Sequence, residues 1–158
     1  MGLRKILTDK EPSLHKVCKP VANFDWRLHK LLDDMNETLV ESGGVGLAAP
    51  QVGILRRVVL VDTGEEIIEL INPSLVETDG EQIGPEGCLS VPGKYGLVKR
   101  PYYAKVRAQD RDGNWFEVEG EELIARCFCH ELDHLDGILY TELMERFLTE
   151  EELVQDEA

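Results

Sequence analysis

The chain has 158 residues, 42% of them hydrophobic and 30% charged, a balance that fits a globular protein with a sizeable core and excludes a disordered one. Its formal net charge is −14, from 31 acidic against 17 basic residues, which disfavours nucleic acid or an anionic membrane as the main partner. No apolar run approaches a membrane span, and the first ten residues have neither a signal-peptide apolar core nor the Arg- and Ser-rich character of an import sequence. A cytoplasmic location and one domain over residues 1–158 are therefore expected.

In chain order, Asp25 caps a helix running to about Val40. Its apolar face is Trp26, Leu31, Leu32, Met35 and Leu39, and Gly43 stops it. Arg57 to Asp62 and Ile67 to Ile71 read as strands around a turn at Thr63-Gly64, with Asn72-Pro73 as punctuation. Further short strands are expected at Leu75 to Thr78, Leu97 to Arg100, Tyr103 to Gln109 and Trp115 to Val118. Asp110-Arg111-Asp112-Gly113 predicts a hairpin turn between the last two. A helix follows from about Glu121 to Leu135, ended by Gly137. Thr149-x-x-Glu152 predicts a capping box for a short acidic helix or tail over about 149–158, loaded with Glu150, Glu151, Glu152, Asp156 and Glu157. Strands gathered between helices, with no regular βαβ alternation, predict an α+β fold.

The helix ending at Leu135 carries the chemistry. Its run Cys129-His130-Glu131-Leu132-Asp133-His134 places two imidazoles about 6 Å apart in rise on one side of a helix, with a carboxylate beside the first. On a helical wheel Leu123, Ile124, Cys127, Phe128, Leu132 and Leu135 form an apolar arc that contains Glu131. Glu122, Arg126, Cys129 and Asp133 fall on the opposite, polar side. A surface carboxylate has no need of a buried position, whereas a general base beside a metal does. His130 and His134 are thus expected as metal ligands rather than as two hydrogen-bonded core histidines, with Glu131 handling a proton on water.

A catalytic metal site commonly takes a third protein ligand and keeps one position open. Glu142 or Glu145 would give a His-His-Glu site of the protease type. Cys127 lies about 10 Å of rise from His134, too far to share an ion with both histidines, and Cys129 points away. That leaves Cys18 and Cys88 in a chain whose four cysteines are too few for a disulfide framework. Cys88 sits in Glu86-Gly87-Cys88-Leu89-Ser90, between Pro85 and Pro92. A lone Cys is about as often a small buried hydrophobe, so spacing alone leaves the third ligand open.

Gly44 to Ala49 fits G-x-G-x-x-A, but it follows a helix rather than a strand, and Pro50 interrupts the helix that should come next; the dinucleotide reading is rejected. The segment is instead a tight connection, or a loop that offers backbone groups and Gln51 to a substrate.

Three segments in order resemble the three signature motifs of peptide deformylases. They are Gly44-Val45-Gly46-Leu47-Ala48-Ala49-Pro50-Gln51, Glu86-Gly87-Cys88-Leu89-Ser90 and His130-Glu131-Leu132-Asp133-His134, and the similarity runs through Tyr140. The resemblance implies short antiparallel strands around a central metal-binding helix, an N-terminal helix and a short C-terminal one. It implies removal of the formyl group from N-formylmethionine at the start of new bacterial proteins, with Fe(II) as native metal and zinc or nickel able to replace it. Cys88 becomes the third ligand. The Gln51 amide and the Leu89 N–H become oxyanion donors, and Gly44, Val45, Gly46 and Gly87 hold an extended peptide by its backbone. Leu123 and Cys127, on the metal face of the helix, are expected to line the methionine pocket. Glu86 and Arg100 match a structural pair of the family. Arg126 stands where some members have an apolar residue, and Tyr95 replaces a basic one. The acidic terminus differs from the basic terminal helix with which some relatives dock on the ribosome, so docking is not carried over, and a monomer is expected. A zinc peptidase sharing His-Glu-x-x-His is the alternative, and the Cys88 motif argues against it.

Overall fold

The computed structural model describes residues 2–157, and side chains through residue 154. Met1, Ala158 at the end of the expected acidic segment, and the side chains of residues 155–157 lie outside that description.

Among the described residues, seven strands form two sheets. The larger has the order β1-β2-β3-β6-β7, with β1 at Gly46–Ala48, β2 at Val58–Asp62, β3 at Ile67–Asp79, β6 at Tyr103–Gln109 and β7 at Trp115–Glu121, all antiparallel. The smaller is the hairpin of β4, Gln82–Cys88, and β5, Val91–Arg100. Three α-helices complete the fold: α1 at Trp26–Ser42, α2 at Leu123–Leu135 and α3 at Glu150–Glu157. The expected α+β arrangement around a central helix, with a helix near each end of the chain, is what forms.

Strand β2 shows why α2 is central. Val59 and Val61 pack with Phe128, Ala125 and Leu135 of α2, while Val58 and Leu60 pack with Leu28, Leu32, Met35 and Leu39 of α1. Alternate residues of a strand face opposite sides, so this unbroken apolar run marks a strand covered on both faces. Each such side chain contributes roughly 1.5–3 kcal/mol on burial.

The caps formed as the sequence indicated. Asp25 accepts from the Arg27 and Leu28 N–H groups, Gly43 closes α1 at φ 72°, and Gly137 follows α2 at φ 76°. Thr149 and Glu152 make the reciprocal capping box at α3. Asp110 accepts from Asp112 and Asn114 in the β6–β7 turn.

Several expectations are corrected. Trp26 is 71% exposed, and Leu28 takes its place on the buried face of α1. Asn72-Pro73 does not divide two strands. Asn72 takes φ 52°, which its short side chain tolerates, and β3 continues through a register shift between Ile71 and Ser74. The Gly46 segment is a strand, not a loop, and β4 forms despite Gly84, Pro85 and Gly87 because it pairs along β5. Strand β7 runs to Glu121, so α2 begins at Leu123 rather than Glu121. The polar side of α2 is not a solvent face: Arg126 is buried under the β4–β5 hairpin, and Cys129 is buried in the core cluster shared with the large sheet. Leu123, placed on the apolar arc, is 57% exposed.

Candidate metal centre

Residues from two elements converge. Helix α2 carries His130 and His134, and Cys88 closes β4 just before the Leu89-Ser90 turn. The candidate ligand atoms of Cys88, His130 and His134 all lie within 4.8 Å of one another, and Cys88 Sγ is 3.4 Å from His134 Nε2. They are the one such group among the described residues; Cys18, Cys127, Cys129, Glu142 and Glu145 do not join it. The Glu142 carboxylate instead accepts from the Leu139 N–H at 2.9 Å.

The surroundings orient these donors. Glu86 Oε1 takes His130 Nδ1 at 2.9 Å, which leaves Nε2 of that ring for the centre. Arg100 grips both oxygens of Glu86, Nε to Oε2 at 2.7 Å and Nη2 to Oε1 at 2.9 Å, and reaches Asp133 at 2.7 Å. Burial works against the Glu86 charge, but the Arg100 and His130 hydrogen bonds outweigh it and hold the carboxyl at about 2. Burial keeps His134 well below the ordinary imidazole range, so its ring is neutral, the form a metal ligand needs. The Tyr140 ring stacks on His130 at 6.0 Å between centroids.

Glu131 is 4% exposed, its Oε1 has no hydrogen-bond partner, and its Oε2 is 4.0 Å from His130 Nε2. Burial pushes its carboxyl up to about 7, with the His130 charge opposing and the Glu86 charge adding. A carboxyl balanced near neutrality beside a ligand set is suited to taking and returning a proton. Gln51 stands on the other side of Cys88. Ala48 N–H donates to its Oε1 at 2.9 Å, which turns Nε2 towards Ser90 Oγ at 3.1 Å and Cys88 Sγ at 3.6 Å.

The family model for polypeptide deformylases matches residues 3–149. A peptide deformylase of Agathobacter rectalis is 58% identical over 145 residues, covering 92% of each chain. The chain belongs to the polypeptide deformylase family. Members remove the N-formyl group of nascent peptides, beginning with formylmethionine, and depend on a metal. Solved deformylases share the fold. That of Thermotoga maritima is 39% identical with a TM-score of 0.89, over 92% of this chain and 99% of the other. That of Legionella pneumophila is 40% identical with a TM-score of 0.87, over 98% and 91%.

In this deformylase a cavity of about 520 Å³ opens beside the ligand cluster. Gly44, Val45 and Gly46 line it, as do Gly87, Cys88 and Leu89. Gln51 lines it too, with Leu123, Cys127, His130 and Glu131 of α2. Of the residues that the resemblance assigns to ligation, catalysis or substrate binding, only His134 lies outside the lining. Gly46 is there because nothing larger fits: a Cβ would come within 2.5 Å of Glu131 Oε2 and 2.8 Å of Cys127 Sγ. Burial pushes the Cys127 thiol well above its ordinary range, and the Glu131 charge adds to this, so it remains protonated. Sequence reasoning missed Ser90, Tyr140 and Arg126. The Glu86-x-x-x-Ser90 spacing carries no signal for Ser90, and a wheel built on one buried face hides Arg126. No helix among the described residues is long and apolar enough to cross a membrane.

Proposed function

We propose that this deformylase hydrolyses N-formylmethionyl peptides at an Fe(II) centre held by Cys88, His130 and His134, with Glu131 as proton carrier. One thiolate and two imidazoles suit a borderline divalent ion. The Glu86 bond that frees His130 Nε2 supports that reading. When bound, the ion makes water nucleophilic near neutral pH and polarises the formyl carbonyl.

The chain's own residues do the rest. Glu131 accepts the proton of the attacking water as its oxygen bonds to the formyl carbon. Gln51 Nε2, turned by Ala48, and the Leu89 N–H donate to the oxyanion that forms. Glu131 then passes the proton to the departing nitrogen, the C–N bond breaks, and formate and a free amino terminus leave. Gly44, Val45, Gly46 and Gly87 offer backbone groups to an extended peptide, and Leu123 and Cys127 flank the methionine side chain. The chain acts as one catalytic domain, a cytoplasmic monomer.

The observation that carries this reading is the convergence of one sulfur and two ring nitrogens beside the buried, unbonded oxygen of Glu131. The test is formate release from formyl-Met-Ala against cleavage of acetyl-Met-Ala. The account expects fast release from the first and little from the second, because the formyl carbon bears a hydrogen where the acetyl carbon bears a methyl and is less crowded towards attack. Equal rates, or cleavage of internal peptide bonds, would refute it.

A further inference from the structure

The ligand set is split between two bodies. His130 and His134 ride on α2, whereas Cys88 ends the β4–β5 hairpin, which shares no strand pairing with the five-stranded sheet. Whatever fixes the hairpin against α2 therefore fixes the Cys88 sulfur against the two rings. Arg126, one turn before His130, makes part of that join, beside the Arg100–Asp133 and Glu86–His130 contacts. It is 6% exposed, and its Nη1 donates to Glu86 Oε2 at 2.7 Å, to Val98 O at 3.0 Å and to Gly84 O at 3.4 Å. Gly84 and Val98 are cross-strand partners, so one nitrogen on the helix grips both strands of the hairpin, and the carboxylate of Glu86 as well. That same carboxylate orients His130. Arg126 Nη2 has no partner and faces Gly84, where a Cβ would come within 3.3 Å.

We infer that Arg126 is a positioning residue of the metal centre: by pinning the hairpin to α2 it sets the distance between Cys88 and the two histidines. The inference rests on the ligand reading proposed above. Without Arg126 the Cys88 end of the hairpin swings more freely, and the site loses its ion faster. Because a single nitrogen makes all three bonds, a lysine ammonium at this position can replace it.

The test is release of zinc from the loaded protein to excess chelator, followed at a temperature well below unfolding, with the thiolate-to-metal absorption of the cobalt-loaded protein as second readout. Arg126→Met should release zinc roughly 10–100-fold faster, the usual effect of removing a group that orients ligands. Its cobalt absorption should weaken or shift. Arg126→Lys should stay near wild type. Gly84→Ala, which keeps the charge but crowds Nη2, should move release in the same direction by less. Leu60→Ala, which weakens the core without touching the join, should leave release unchanged. An Arg126→Met protein that holds zinc as wild type does, or a Leu60→Ala protein that loses it as fast as Arg126→Met, would overturn the inference. A wild-type protein with no thiolate–cobalt absorption would overturn the ligand reading along with it.

Discussion

Gly46→Ala tests how tightly the fold holds Glu131. The added Cβ would sit 2.5 Å from Glu131 Oε2 and 2.8 Å from Cys127 Sγ, about 1 Å short of ordinary contact with the carboxylate. Glu131 is 4% and Cys127 6% exposed, so the open space beside them is the cavity they line, and yielding to the new methyl moves Glu131 from its place there. Strand β1 cannot retreat without breaking its register of Gly46 with Val61. The strain should cost about 1–3 kcal/mol of stability, as overpacking commonly does. The catalytic cost should be larger in proportion, because displacing a catalytic group by about 1 Å can cost on the order of 10²-fold. The ligands are not touched, so the metal should stay. Gly44→Ala is the comparison. Its Cβ would meet the end of the Leu89 side chain at 2.9 Å, and a leucine terminus can turn aside. The assay is steady-state formate release with metal content and thermal midpoint measured on the same samples. A folded, metal-loaded Gly46→Ala protein with near wild-type kcat, or one no slower than Gly44→Ala, would refute this account of Glu131.

Other consequences are equally open to measurement. Glu131→Gln should retain its metal and lose turnover by roughly 10²–10⁴-fold, the range for a positioned proton carrier, and metal analysis beside kinetics checks both halves. Glu86 is held at about 2 against an ordinary 4.5, so its charge stabilises the fold above about 4.5 and that contribution fades as pH falls through about 2. Glu86→Gln should therefore be about 3 kcal/mol less stable at neutral pH, with the gap closing towards acid. A gap that ignores pH in denaturant titrations would contradict this. The Fe(II) form should lose activity in air while the zinc form does not, since zinc has no redox chemistry of its own beside the thiolate. Parallel activity decays in air and under argon decide the point.

Signals carried by one residue type at one position were legible in the sequence. Asp25, Gly43, Gly137 and the Thr149–Glu152 pair mark helix ends because capping is local chemistry. The two histidines and Glu131 are legible because helical spacing is fixed. What the sequence hid depends on neighbours distant along the chain. Spacing left Cys88 level with a buried hydrophobe, and only the resemblance to a family named it. The fold then brings its sulfur to His134 across 46 residues. The segment of β4 contains Gly84, Pro85 and Gly87, poor strand formers, and becomes a strand because β5 pairs with it. The wheel puts Arg126 on the polar side because it assumes one buried face, whereas α2 lies between the large sheet and the hairpin. Trp26 went the other way. It sits at the first turn of α1, where Leu28 suffices to seal the core.

The most direct test of the central claim is X-ray absorption at the zinc edge of the zinc-loaded protein. The account predicts one sulfur at about 2.3 Å and two imidazole nitrogens at about 2.0–2.1 Å, the ordinary lengths for such ligands. The sulfur shell should vanish in Cys88→Ser and persist in Cys127→Ser. A first shell of nitrogen and oxygen only in the wild-type protein, or a sulfur shell that survives Cys88→Ser, would contradict it.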